Sequence, residues 1–331
     1  MRRGVFSLFV WAGLSALAAG GLSIAKQINA GPNESRDLHL SYAFTVKIPS
    51  GSGKVNIWIP LPRSDGYQTL KSFKITGPLR YSRYTDREYG NTILKLESRG
   101  ILPESLQVQL DLNVLRLTQT GNGGKVLHPS VESEENLKRF LRPDRLVPID
   151  GPIAEEARRV VKHGMSPLEK ARAIYDHVVE TMAYDKSGTG WGRGDALYAC
   201  DARKGNCTDF HSLFVGMARA SGVPARFVMG FPVPEKKREG EILGYHCWAE
   251  FYIEGEGWIP VDASEAWKHP EKRAFFFGNL DENRVAFTLG RDIRLDPKLE
   301  PLNYLIYPYV VIDGREFSEV RTSVRFADRL N

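Results

Sequence analysis

Cysteine is scarce in this chain. Three occur in 331 residues, at positions 200, 207 and 247, and an odd number leaves at least one thiol unpaired. There is no C-x-x-C or H-x-x-x-H spacing. A zinc site built from Cys207, His211, His246 and Cys247 would also need the adjacent residues 246 and 247 to point the same way from a strand, which they do not. No phosphate-cradling glycine loop, EF-hand or haem motif is found, so no cofactor is implied. Internal repeats and low-complexity tracts are missing too. A basic surplus vanishes on inspection. The formal charge is +5, but Arg2, Arg3 and Lys26 lie in an N-terminal segment without acids. Residues 31–331 keep 42 Lys+Arg against 40 Asp+Glu, a net +2. With no basic stripe interleaved with aromatics, nucleic acid is excluded as a partner.

What is present begins at the N-terminus. Met1-Arg2-Arg3 precedes 22 uncharged residues, 4–25, with an apolar stretch at 5–17 and an Ala-x-Ala site at Ala16-Leu17-Ala18. That is the layout of a secretory signal, and the run is also long enough to remain as a membrane anchor. No cysteine follows it to carry a lipid. The body is expected outside the cytoplasm, periplasmic or secreted, with a membrane association only if the segment is retained.

The length exceeds one usual core, so two folded units are expected. Short alternating runs at 38–48, 54–61, 70–75, 92–96 and 106–115 read as strands of an all-β, sandwich-like domain. A turn-rich stretch at 118–125 leads to helical segments near 133–140 and 152–163. Ser166-Pro167-Leu168-Glu169 then carries an N-cap, a first-turn proline and a capping-box glutamate. Leu168, Ala171, Ile174, Tyr175, Val178 and Met182 follow at helical spacing. A second helix starts at Cys207, with Phe210, Leu213, Phe214 and Met217 as its stripe and Gly222 at its C-terminal cap. Strands follow at 225–231, 245–253, 257–263, 283–289 and 304–312. The expected organisation is 1–30 signal or anchor, 31–125 sandwich-like domain, 126–165 helical connector, 166–270 catalytic core, and 271–331 C-terminal strands completing that core. The fold class is α+β.

A cysteine at a helix N-terminus sees the positive end of the dipole and unpaired N–H groups, which favour the thiolate and can hold an oxyanion. It needs a base, and the base an orienting partner. Pairing Ile253 with Gly257 in a hairpin places His246 opposite Ser264 and diagonal to Asp262. In that register Cys247, Ala249, Phe251 and Ile253 share a face with Ile259, Val261 and Ala263, while His246, Trp248, Glu250 and Tyr252 share the other with Trp258, Pro260 and Asp262. His211, on the same helix as Cys207, is a rival base whose alternative is a structural hydrogen bond. Asp209 reads as a first-turn carboxylate. Trp191 offers an indole N–H for the oxyanion or a packed aromatic platform; Asn206 offers a second donor or a helix cap. In an oxidising compartment Cys200 and Cys247 could pair and leave Cys207 free. The charged loop at 233–244 reads as a solvated connection.

The blocks Gly205-Asn206-Cys207-Thr208-Asp209-Phe210-His211, Gly222-Val223-Pro224-Ala225-Arg226-Phe227, Tyr245-His246-Cys247-Trp248-Ala249-Glu250 and Gly257-Trp258-Ile259-Pro260-Val261-Asp262 resemble, in order, the core of the bacterial transglutaminase-like superfamily. The resemblance is specific over 166–267 and looser at 277–280, 283–285 and 290–292. It implies a papain-like fold, with the cysteine helix packed on an antiparallel sheet that bears the histidine and the acid. The expected activity is acyl transfer on amide bonds of a peptide or protein, by hydrolysis or cross-linking, with Cys207, His246 and Asp262 catalytic. The superfamily also contains inactive members, so a peptide-binding adaptor is the alternative.

Overall fold

The computed structural model describes residues 34–100, 102–120 and 132–329. The expected leader or anchor, and residues 121–131 of the turn-rich and connector stretches, lie outside them.

Alternation builds the first layers. In β1 (Ser35–Lys47) every second side chain is buried, from Leu38 to Val46. β2 (Lys54–Pro60), β3 (Gln68–Thr76), β4 (Arg80–Thr85) and β5 (Thr92–Arg99) follow, then β6 (Ser105–Leu117), which repeats the alternation, and the short β7 (Gln119–Thr120). β2 differs from its neighbours. Its alternating sequence suggests one solvated face, yet Val55 to Pro60 are all buried, because Trp58 packs on a second layer with Trp248 and Trp258 while Ile57 and Ile59 face the sandwich interior.

The helical part holds α1 (Glu134–Arg139), α2 (Gly151–Val160) and α3 (Pro167–Thr181), the last started by Ser166 and Glu169 as a reciprocal capping box. A two-strand parallel pair, β8 (Ala183–Tyr184) and β9 (Lys204–Gly205), brackets α4 (Ala196–Ala202) and leads to α5 (Cys207–Ala220). α5 is apolar on the expected stripe but buried all round, from Cys207 to Arg219, so its polar side chains each need a partner. Gly222 ends it with φ +78°, a left-handed conformation open to glycine, and the Val223 N–H returns to the Ala218 carbonyl at 2.9 Å.

β10 (Ala225–Pro232), β11 (Glu239–Glu241), β12 (His246–Ile253) and β13 (Gly257–Val261) come next, then α6 (Ala263–Lys268), β14 (Asn279–Leu280), β15 (Arg284–Leu289), β16 (Tyr309–Ile312), β17 (Arg315–Phe317) and β18 (Val320–Asp328). The core sheet has the order β13-β12-β10-β15. Its hairpin register pairs Ile253 with Gly257 and Ala249 with Val261, as the face pattern expected. Ala249, Phe251, Ile259 and Val261 pack under α3 and α5, while Trp248, Tyr252 and Trp258 pack towards β2.

The C-terminal strands correct the expected organisation. β15 joins the core sheet, but β16 pairs with β2 and β18 with β1, giving sheets β17-β16-β2-β5-β4 and β11-β18-β1-β6-β3. Without them β1 and β2 would each present an unpaired edge inside the fold. The described residues accordingly belong to one unit rather than two. Arg36 knots the closure: it donates to Asp328 at 2.8 Å, to Asn283 at 2.7 Å, and to the Pro234 and Lys237 carbonyls. The loop at 233–244 is thus tied down at its middle, where β11 edges the sheet through β18.

Candidate active site

Three segments converge on the start of α5. Asn206 is its N-cap: the side-chain oxygen accepts from the Thr208 N–H at 2.9 Å, and Asp209 accepts the Asn206 N–H at 2.9 Å. Asp209 does more than favour the dipole. It also accepts from the Gly192 N–H at 2.7 Å and the Gly194 N–H at 3.0 Å, fastening the loop that carries Trp191 beside Cys207. Gly205, at φ +154°, makes room for this, since a Cβ there would land on the Asp209 carboxylate.

From the sheet side β12 presents His246. β13 stops at Val261, and Asp262 becomes the N-cap of α6, a helix that the strand reading of 257–263 missed although Asp262 and Glu265 stand at capping spacing. Every lone pair of Asp262 is used. Oδ1 accepts from the Glu265 N–H and the Ser264 hydroxyl, both at 3.0 Å; Oδ2 accepts from His246 Nε2 at 2.7 Å and Arg284 Nη2 at 3.0 Å. With Nε2 committed to the acid, the other ring nitrogen serves Cys207, to which His246 is hydrogen-bonded. Trp248 stacks alongside the imidazole, ring centroids 6.4 Å apart.

All three side chains are buried, with Cys207 2%, His246 5% and Asp262 0% exposed, so their charges interact through little solvent. A hydrogen bond from Cys247, then a hydrogen bond and the charge of His246, hold the Cys207 thiol well below its ordinary 9.0 against the cost of burial. Burial disfavours the imidazolium, but the Asp262 carboxylate, by charge and by hydrogen bond, pushes His246 up to about 10, with the Cys207 thiolate assisting. Asp262 lies well below the usual carboxylate range: burial pulls upward, and His246 and Arg284 overcome it. These shifts, Cys207 down and His246 up, both favour the ion pair of thiolate and imidazolium over the neutral pair. Arg284, which fixes the acid from β15, was not legible as a site residue because nothing in its local sequence distinguishes it from any strand arginine.

The other expected residues are placed differently. Trp191 donates its indole N–H to the Gly188 carbonyl at 3.2 Å, which occupies the hydrogen that an oxyanion would need. Asn206 caps the helix and turns its amide N–H toward the Tyr245 hydroxyl at 3.3 Å. His211 makes the structural hydrogen bond that was its alternative: its Nε2 accepts from the Ala263 N–H at 3.1 Å. The Cys200–Cys247 disulfide is not formed, all three cysteines being free; Cys247 lies beside Cys207 and His211, whereas Cys200 sits on α4 in the field of Arg203 and Glu156. Among the described residues no three His, Cys, Asp or Glu side chains are arranged to hold a metal. Tyr184 and Tyr245 both feel the Cys207 charge, and each pairs with a further ring, Tyr184 with Trp267 at 6.5 Å and Tyr245 with Tyr304 at 5.8 Å.

A central helix with cysteine at its start, packed on an antiparallel sheet that bears a His–acid pair, defines a papain-like core. Residues 155–263 match the transglutaminase-like superfamily, and this part of the chain is a transglutaminase-like core. An uncharacterised protein of Haemophilus influenzae is 29% identical over 327 residues, covering 86% of this chain and 88% of its own. An uncharacterised protein of Bacillus subtilis is 22% identical over 158 residues, 42% of this chain and 21% of its own. The crystal structure of a candidate cysteine protease from Cytophaga hutchinsonii shares the fold, with a TM-score of 0.61 at 17% identity over 91% of this chain and 92% of that one.

Proposed function

We propose that the protein is an exported, thiol-dependent acyl-transfer enzyme that cleaves amide bonds of peptides or proteins through an acyl-thioester on Cys207. The observation that carries this reading is the alignment of the Cys207, His246 and Asp262 side chains, each with its remaining hydrogen-bonding capacity directed at the next. The thiolate attacks the carbonyl carbon, and the Cys207 backbone N–H, in the orphaned first turn of α5, receives the oxyanion. Attack removes the sulfur's negative charge, which had helped to hold the imidazolium proton; His246 then gives that proton to the departing amine. The amine leaves as the carbonyl re-forms, giving the thioester. Water, deprotonated by His246, adds to the thioester, and collapse releases the acid and expels the Cys207 thiolate beside the His246 imidazolium. A primary amine in place of water would give cross-linking by the same steps; hydrolysis is the reading we adopt, since no residue here marks an amine site.

Export is supported by the charged start, uncharged stretch and Ala-x-Ala site at the N-terminus. Among the described residues no helix is long and apolar enough to cross a membrane.

The test is brief alkylation with limiting iodoacetamide from pH 5 to 8, read by peptide mass spectrometry at Cys207, in the wild type and in His246→Ala. Selective modification at low pH that weakens in the variant is expected. Reactivity of an ordinary thiol, unchanged in the variant, would leave the adaptor reading in its place.

A further inference from the structure

Cys247 takes no part in the steps above, yet its thiol is fully buried and hydrogen-bonded to the Cys207 sulfur. His211 settles which way that bond runs. Its Nε2 receives the Ala263 N–H at 3.1 Å, an otherwise orphaned donor of the first turn of α6, while Asp262 Oδ1, 3.5 Å away, is already taken by the Glu265 N–H and the Ser264 hydroxyl, so Nε2 carries no hydrogen. Burial keeps the ring neutral. The ring hydrogen therefore sits on Nδ1, which faces the Cys207 carbonyl and, at 3.7 Å, Cys247 Sγ. Toward that nitrogen the Cys247 sulfur can only accept, and its own hydrogen is left for Cys207.

We infer that Cys247 is a positioning residue, whose S–H donates to the Cys207 thiolate as the last link of a chain running from the Ala263 N–H through His211. The inference rests on Cys207 being the nucleophile. A donor that meets only the ionised sulfur stabilises that form, and it fixes where the attacking lone pair points. The other groups around the pair are known. Tyr184, Tyr245 and Tyr304 face Cys207 as neutral phenols, Asp209 and His211 face it as titratable groups, and Asp262 and Arg291 face Cys247 through charge; His246 and Cys247 hydrogen-bond the Cys207 sulfur itself.

The experiment compares the pH midpoint of Cys207 alkylation in the purified full-length protein and in Cys247→Ala, Cys247→Val and Cys247→Ser. Loss of the donor in the Ala and Val forms is expected to raise the midpoint by about one pH unit, whatever the volume of the replacement. Serine, which keeps a hydrogen to give, should hold it near the wild-type value. Midpoints unmoved in both Ala and Val, or restored by Val because it refills the space, would overturn the inference while leaving the nucleophile intact. A wild-type Cys207 with ordinary thiol reactivity would instead overturn the nucleophile reading. Should the Ala and Val forms fail to fold, the S–H stretch of Cys247 in a Cys200→Ser background decides. It is expected to move to higher wavenumber when Cys207 is alkylated, and an unmoved band counts against the donor.

Discussion

At the C-terminal end of α5, Arg219 donates to Asp144 at 2.6 Å and to the Arg142 and Ala225 carbonyls, and Arg139 closes on the other oxygen of Asp144 at 2.6 Å. At the N-terminal end Asp262 is likewise buried between cations, but one of them is His246 and that imidazole meets a thiol. Guanidinium groups keep their protons at any working pH, so the first cluster is a clamp and nothing moves in it. The second differs by one titratable partner. Buried charge turns into chemistry where a cation can release its proton to a neighbour; Arg284 supplies the fixed part of that end and His246 the mobile part.

The comparison can be broken in four places. The largest effect belongs to Asp262→Asn, which keeps the shape and removes the charge: turnover of a peptide amide is expected to fall roughly 10³–10⁴-fold, with the His246 midpoint, followed by NMR, dropping from about 10 toward 6.5. Arg219→Met should cost about 3–5 kcal/mol in denaturant titration, as Asp144 loses a cation in the interior. If the two ends are as distinct as their chemistry says, the Cys207 alkylation midpoint stays where it was.

The third place is the pH dependence of stability. Between pH 6.5 and about 10 the folded protein keeps a proton on His246 that the unfolded chain gives up, so this group's contribution is complete below 6.5 and is lost as pH rises through 10. Cys207, depressed from 9.0, acts in the opposite sense up to pH 9.0, where the unfolded thiol also ionises. The pair should therefore leave thermal stability level from 6.5 to 9 and lower it from 9 to 10. In Cys207→Ser the decline should start near 6.5. The smallest effect is a control remote from both ends: Ser166→Ala removes the α3 cap at about 1 kcal/mol and should leave Cys207 reactivity untouched.

The site was more legible than the surroundings that hold it. The start of α5 at Cys207 and the register that carries His246 follow from local facts: an N-cap before a helical stripe, and a two-faced hairpin whose register a one-residue slip would spoil; Asp262, expected on the strand, caps α6 instead. Arg284, and the contacts of His211 and Cys247, depend on which side chains meet across separate elements, and no periodicity records that. The destination of β16 and β18 was hidden for the same reason. Alternation says that a segment is a strand with one buried face; it does not name the neighbour, and the core sheet, nearest in sequence, was the wrong one.

That neighbour choice bears on the order in which the molecule can be assembled. The Arg36–Asp328 bond joins residues 292 positions apart, and the pairing of β1 with β18 spans nearly as much of the chain. A polypeptide complete to Leu289 holds the whole four-stranded core sheet, yet β1 and β2 still lack their closing partners and offer raw edges to any passing strand. Contacts this remote come late and slowly. The interval before residues 309–328 arrive is thus when the chain is most exposed to pairing with another copy of itself, and a truncation there would make that exposure permanent.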